Sequence, residues 1–421
     1  MDDLVRDWLA EHIGPVIRLE RQARWRPVWF ADVERDGETL GLCVRGDRTD
    51  YPGIFPLEHE MLVQRLLHEH GIRVPAVHGW LDDPRAFVID RVPGQPDFSG
   101  CTPEQRDAVM DDYIAILAEV HALDVAPFEA AGVRRDGMAA YERWYRSSKK
   151  RPDPFLEFCL GWLRRHPLDT GGRESVVVWD SGQFHHDGKR VAAVLDLELA
   201  HIGDPLMDLA AFRMRDTIVG YGDFRRMYAT YEALTGTPVD LAALQHHHFA
   251  FTLSNQLAFH SALADPPPGS DYMTNLQWCN ETNLFAVEAL AEFLGVELAP
   301  VDLPEAEVSA AAVPGAHLVA ALRSGDYEQR RLFRLARHLR RFDEIGRACA
   351  EADLDDLAPL LGRRPATWQE GDAALEEFVR TDDGRSDEAL VPLFHRRLWR
   401  AHQLMGPAGS AMTTHHRLQP W

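Results

Sequence analysis

The sequence predicts an α+β protein, and three observations carry that reading. Short β-branched runs separated by turn dipeptides crowd the first ninety or so residues. A helical apolar spacing takes over from Thr102 and persists into the C-terminal region. Between them, residues 176–215 hold two apolar runs, 176–179 and 191–195, flanking a loop centred on Asp187-Gly188. Asp-Gly between β-branched runs predicts a hairpin in which the two runs pair. Each run leads into an aspartate, Asp180 and Asp196, at strand ends where a rigid scaffold usually presents chemistry. With Gln183 between them, these side chains form an all-oxygen set suited to a hard cation such as Mg²⁺.

Composition bounds the function. The formal net charge is −21, which argues against a general nucleic-acid binder. An anionic nucleotide would need a local basic patch against that field. No run of about 18 uncharged apolar residues is present, so no membrane span is expected. The acidic, amphipathic start, MDDLVRDWLAEH, resembles neither a signal nor a transit peptide. Five scattered cysteines without a CxxC pair predict reduced thiols and a cytoplasmic location.

In chain order, residues 2–12 predict a short helix with Leu4, Trp8 and Leu9 on one face. Strands are expected at 16–19, 28–33 and 39–45, the last two joined by a turn at Asp36-Gly37. The loop between the first two strands carries Arg21, Arg24 and Arg26 and no glycine. Its arginines serve either as guanidinium forks for phosphate or as a solvated basic loop. Residues 57–67 predict an amphipathic helix, and 72–77 and 86–94 hold two further strands and the connector that follows the second, at 90–94. Thr102 as N-cap, with Pro103 following, starts a helix that runs to His121. Further helices are expected at 141–145 and 155–165. Asp204 as N-cap and Pro205 open a helix carrying Leu206, Leu209, Ala210 and Met214. The chain then reads as helical to about residue 298, broken at 265–270. His246, His247 and His248 point in different directions on a helix, which favours a half-buried helix over a metal site.

After a linker at 298–304, helices are expected at about 305–323, 326–350, 367–380 and 386–404. Arg330, Arg331, Arg334, Arg337, Arg340 and Arg341 make the second of these basic and amphipathic. The favoured reading pairs them with the acidic stretches 351–356 and 370–377 rather than with an outside partner. The Gly/Ser/Thr-rich tail, 406–421, is expected to be ordered only by contact with the main body.

The segment Leu-Asp-Leu-Glu-Leu-Ala-His-Ile-Gly-Asp-Pro-Leu-Met-Asp-Leu-Ala at 195–210 resembles the metal-binding segment of the aminoglycoside phosphotransferase family. The resemblance covers roughly the first 300 residues. It implies a protein-kinase-like two-lobe fold, with a small antiparallel β lobe and a larger, mostly helical lobe. An all-α C-terminal extension follows. The implied divisions are 1–94 for nucleotide, 95–299 for catalysis and substrate, and 300–421 for the extension. The implied cofactors are Mg²⁺ and ATP (or GTP), and the implied reaction is phosphoryl transfer to a hydroxyl of a small molecule.

By the same resemblance, Arg45 takes the place of the basic residue that meets the phosphates, and Glu60 orients it. Arg24 and Arg26 lie in the loop beside the phosphates. Asp90 and Val92 belong to the hinge that holds the base. Asp180 is the base for the acceptor hydroxyl; Gln183 and Asp196 hold metal. Glu198 reaches a second metal or caps the loop. His121 and Asp208 are structural, beneath the catalytic loop. The family reads His-Gly-Asp there, with an asparagine five residues after the aspartate. Here the loop reads Val178-Trp179-Asp180, and Gln183 follows after three. That departure sustains two alternatives: a kinase-like binding or regulatory module without turnover, and a nucleotidyl transferase. Choline-like amines, sugars, hydroxy-amino acids and lipid-like alcohols all remain open as acceptors, and self-association is expected through the C-terminal helices.

Overall fold

The computed structural model describes residues 1–48, 52–323 and 325–421. The chain divides into two compact units that are not contiguous in sequence. The first comprises Met1–Ala140, Asp169–His248 and Leu418–Trp421; the second comprises Tyr141–Leu168 and Phe249–Arg417.

The first unit contains a five-stranded antiparallel sheet of β1 (Val16–Arg21), β2 (Val28–Arg35), β3 (Glu38–Gly46), β4 (Val77–Asp82) and β5 (Arg85–Asp90). The strand order is β1-β2-β3-β5-β4. Asp36 and Gly37 turn β2 into β3 with φ of 55° and 83°, the left-handed pair that a tight hairpin needs. Along β3 the side chains alternate. Leu42 and Val44 join a core with Trp29, Ala31, Val33 and Val88, closed by Val5 and Leu9 of the helix Asp2–His12. Cys43 packs toward Phe87, Ile89 and Leu57, the last from the helix Leu57–Glu69. One strand face thus builds core while the other, carrying Cys43 and Arg45, faces a cavity.

Residues 72–77 do not form the expected strand; β4 begins only at Val77. Pro75 has no N–H to offer a ladder. The N–H groups of Ile72 and Val74 bond instead to the carbonyls of Leu67 and Ile72, at 3.0 and 2.8 Å. Ile72 and Val74 are buried without being paired.

The central stretch also differs from expectation. The runs at 176–179 and 191–195 do not pair with each other. β6 (Ser175–Val177) pairs with β9 (His201–Gly203), and β7 (Phe184–His186) pairs with β8 (Val191–Val194). The Asp187-Gly188 turn is present, with Gly188 at φ 87°, but it joins β8 to β7. The histidines of β7 carry no β-branched signal, which is why pattern reading passed over that strand.

Around these strands lie the helices Pro103–His121, Leu206–Val219 and Phe224–Thr235. Thr102 and Gln105 form a reciprocal capping box at the first. The helix Leu206–Val219 starts just after Pro205, and Asp204 Oδ1 accepts from the Leu206 N–H at 3.0 Å.

The second unit is helical among its described residues: Pro154–Arg165, Ser254–Ala264, Tyr272–Leu294, Ala312–Ala321, Tyr327–Arg341, Arg347–Leu361, Trp368–Thr381 and Asp387–Gln403. A π turn at Phe342–Gly346 joins Tyr327–Arg341 to Arg347–Leu361. The arginines of that basic helix find partners other than those expected. Arg334 donates to Thr274 Oγ1 and Gln277 Oε1, both at 2.8 Å, and Arg340 and Arg341 pair with Glu344. Asp353 and Asp356 are taken by Arg400. Helix register decides this: Asp353, Asp356 and Asp372 face the helix Asp387–Gln403, while Glu351, Asp355 and Glu370 pair with Arg363 and Arg364. Among the described residues, no helix is long and apolar enough to cross a membrane.

Candidate active site

The register of β3 sets the first element of the site. Arg45 stands opposite Val28 on β2 and Phe87 on β5, with its side chain on the cavity face. Its Nε lies 2.8 Å from Glu60 Oε1, and its Nη2 contacts Asp196 Oδ1. Arg45 therefore ties the helix Leu57–Glu69 to the segment after β8. Asp196 is held there at φ 61°, a left-handed conformation that costs energy in a residue other than glycine. Burial pushes Glu60 upward in pKa, against the opposing pull of Arg45 and Arg26. At Asp196 burial also pushes upward, but Arg45, Arg26 and Arg215 together outweigh it and hold the carboxyl below its ordinary value.

The basic loop splits between two environments. Arg24 lines the cavity. Arg26 turns inward, with Nη2 2.8 Å from Glu198 Oε2 and Nη1 3.6 Å from Glu60 Oε2.

At the hinge, Asp90 is committed to structure. Its Oδ2 accepts from the Ala76 N–H at 3.1 Å, and its Oδ1 lies 2.6 Å from His78 Nε2. The Val92 carbonyl accepts from His185 Nδ1 at 3.0 Å. Gln95 and His186 exchange two backbone hydrogen bonds at 3.0 and 3.1 Å. Gly94, at φ 99°, passes so close that an added Cβ would lie 2.6 Å from the His186 carbonyl oxygen. The hinge is therefore stapled to β7.

The loop carrying Asp180 is suspended from one buried carboxylate. Asp208 Oδ2 accepts from the Val178 N–H at 3.0 Å, and Oδ1 from the Trp179 N–H at 2.6 Å. His121 Nε2 lies 3.0 Å from the same carboxylate, and its Nδ1 lies 2.8 Å from Tyr231 Oη. These bonds hold Trp179 at φ 64°. Gly182 is gripped from both sides: its N–H donates to Tyr113 Oη at 2.7 Å, and its carbonyl accepts from Tyr221 Oη at 2.8 Å. Asp180 receives Arg215 on both oxygens and the Gln183 amide on Oδ2 at 2.9 Å. Burial raises the pKa of Asp180; Arg215 opposes it, and Asp196 and Glu198 add to it.

A cavity of about 320 Å³ brings Arg24, Arg45, Glu60, Gln183 and Asp196 together, with Asp90 and Val92 on its hinge side. Arg26, Asp180 and Glu198 do not line it. Arg215 does, and sequence reasoning missed it. Its signal was present: Arg215 lies seven residues after Asp208, two helical turns along the same face. Tyr113 and Tyr221 carried no such signal. Among the described residues no three His, Cys, Asp or Glu side chains form a ready-made metal cage. Of the oxygen donors that line the cavity, Asp196 and the Gln183 amide fit Mg²⁺, which takes one or two protein oxygens and completes its shell with phosphate and water.

The pattern of the phosphotransferase enzyme family, APH, matches residues 33–244. The chain belongs to this family. Among its relatives is acyl-CoA dehydrogenase family member 11 of Homo sapiens, 26% identical over 213 residues, which are 46% of this chain and 27% of that protein. The Rattus norvegicus protein of that name is 29% identical over 212 residues, 45% of this chain and 27% of its own length. The phosphotransferase chain thus spans about a quarter of the length of these relatives. Choline kinase LicA from Streptococcus pneumoniae superposes with a TM-score of 0.52 at 15% identity, covering 69% of this chain and 99% of the kinase. That likeness shows the protein-kinase-like fold: a small antiparallel sheet followed by a mostly helical remainder.

Proposed function

We propose that this phosphotransferase moves the γ-phosphoryl group of ATP (or GTP) to a hydroxyl of a small molecule. The observation that carries the reading is Arg45, which joins Glu60 and Asp196 in one cavity that Arg24 and Gln183 also line. A planar guanidinium in that place presents two parallel donors to phosphate oxygens, with Glu60 fixing its plane. Val28, Phe30 and Ile89 supply an apolar wall for a base, beside the hinge at Asp90 and Val92. Gln183 and Asp196 would hold Mg²⁺, which supplies charge neutralisation at the phosphates when bound. Asp180 takes the acceptor's proton on a carboxylate oxygen. Burial makes it a stronger base than an exposed aspartate, and Arg215 keeps it ionised and oriented. A cytoplasmic site of action fits the five free cysteines.

Calorimetric titration of Mg-ATP into the wild type and into Asp196→Ala tests this. Metal-dependent binding in the wild type, lost in the variant, supports the reading. Absence of binding to ATP and GTP at millimolar concentration would sink it. ADP release is then measured against aminoglycosides, choline-like amino alcohols, and hydroxyacyl-CoA thioesters, the last suggested by the relatives' names. A second reading, a nucleotide-binding module without turnover, is favoured by Arg215 occupying both oxygens of Asp180. It predicts binding without ADP release for any acceptor.

A further inference from the structure

Three guanidinium groups converge on a single carboxylate beside the cavity. Glu198 Oε2 lies 2.8 Å from Arg26 Nη2 and 3.7 Å from Arg45 Nη2; Glu198 Oε1 lies 3.8 Å from Arg48 Nη1. Two of these arginines are deeply buried, with Arg26 and Arg48 each exposing 4% of their side chains, while Glu198 exposes 25%. The Trp25 ring holds both forks in place, its centroid 4.8 Å from Arg26 Cζ and 4.0 Å from Arg48 Cζ.

Arg26 carries more donors than Glu198 satisfies. Arg26 Nε is buried without a hydrogen-bond partner, and Nη1 makes no hydrogen bond either, facing Glu60 Oε2 only at 3.6 Å. A buried donor left unmade is expensive, more so on a charged group. A carboxylate has two oxygens and reaches only one fork closely. A phosphate group presents three terminal oxygens, each able to accept from guanidinium.

We propose that Glu198 is a self-ligand: its carboxylate occupies a three-arginine anion site made for a phosphate group, and gives way when a polyphosphate enters. The proposal deepens the nucleotide reading of the adjoining cavity and rests on it. Glu198 follows Asp196 by two residues. Its release therefore removes an anchor from the segment that carries the proposed metal carboxylate, coupling phosphate arrival to the freedom of Asp196. With Glu198 seated, charge in the site is matched internally; with phosphate seated, Glu198 passes to solvent.

The test uses the full chain and metal-free tripolyphosphate, a probe without a nucleoside. Affinity is measured by calorimetry for the wild type, Glu198→Gln and the double variants Glu198→Gln/Arg26→Gln and Glu198→Gln/Arg48→Gln, after each is shown to melt cooperatively. Glu198→Gln is expected to bind about ten-fold more tightly than the wild type, and either arginine replacement to abolish the gain. Should Glu198→Gln not fold, Glu198→Asp, which shortens the reach, is expected to gain in the same direction. In the wild type, tripolyphosphate is expected to change the tryptophan fluorescence by an amount that Trp25→Phe removes. Equal or weaker binding by the Glu198 variants overturns the proposal. Tighter binding by Glu198→Gln in a chain that takes no Mg-ATP leaves the anion site standing and removes the kinase reading. Normal Mg-ATP binding with no effect at Glu198 does the reverse.

Discussion

Arg215 holds Asp180 at both carboxylate oxygens, with Nη2 2.6 Å from Oδ1 and 2.6 Å from Oδ2, and Nε 3.1 Å from Oδ1. The helix that supplies Arg215 also supplies Asp208, which carries the backbone just before Asp180. One helix thus sets both the position and the charge of the proposed base.

Arg215→Ala removes the positive charge that opposes burial at Asp180. The pKa of the base then rises further, and a base works only when ionised. The acid limb of the pH–rate profile is expected to move to higher pH, with kcat at neutral pH down about a hundred-fold. A profile with an unmoved acid limb would separate Arg215 from the base.

Arg45→Lys replaces a fork that spans Glu60 and Asp196 with a point charge that cannot reach both in the same plane. Mg-ATP is expected to bind about ten-fold more weakly, about 1.4 kcal/mol. Calorimetry reads this directly, and unchanged affinity would place the phosphates elsewhere.

Asp208→Ala orphans the N–H groups of Val178 and Trp179 in a fully buried place, and removes one of the two partners of His121. The expected loss is about 3 kcal/mol in urea unfolding. Trp179 loses the bond that holds its left-handed backbone, so activity is expected to fall further than stability alone explains.

Gly182→Ala brings strain from two sources. The backbone sits at φ 89°, and the new Cβ would lie 2.3 Å from Tyr221 Oη. A stability loss of about 2 kcal/mol is expected. Tyr221→Phe keeps the ring and is expected to lose only the hydrogen bond, about 1 kcal/mol. Equal losses in the two variants would show that the backbone strain contributes nothing.

His201, on β9, gives the site unit an acid sensitivity. Burial pulls its pKa down to about 4, against the opposite pull of its hydrogen bond to the Leu199 carbonyl and of Asp208. The folded chain therefore holds the ring neutral where the unfolded chain protonates it near 6.5. This part of the stability is complete above pH 6.5 and is lost as pH falls toward 4, to a limit of about 3 kcal/mol. Urea midpoints at pH 7 and 4.5 are expected to differ less in His201→Gln than in the wild type.

Local rules made much of the fold legible. Asp36-Gly37, the Thr102 cap, the amphipathic helix at 2–12 and the breaks at 265–270 each depend on a few neighbouring residues. The structural places expected for His121 and Asp208, near the loop that carries Asp180, followed from family likeness at two separate stretches of the chain. Where pairing was inferred from pattern alone, at 72–77 and across 176–195, the structure chose differently. Backbone donors take whichever partner tertiary packing presents, and a β-branched run does not name its neighbour.

By itself the sequence determined the α+β class and the helical C-terminal region, and it singled out Asp180, Gln183 and Asp196 as candidate oxygen donors, because these depend on residue type and short spacing. Only tertiary structure decided that Arg215 meets Asp180, that Tyr113 and Tyr221 clasp Gly182, and that Arg26, Arg45 and Arg48 gather around Glu198. Their separations in the chain run from 35 residues for Arg215 and Asp180 to 172 for Arg26 and Glu198. Over such distances the energy of a charge pair or hydrogen bond depends on where packed elements hold two atoms, and no periodicity along one element encodes that.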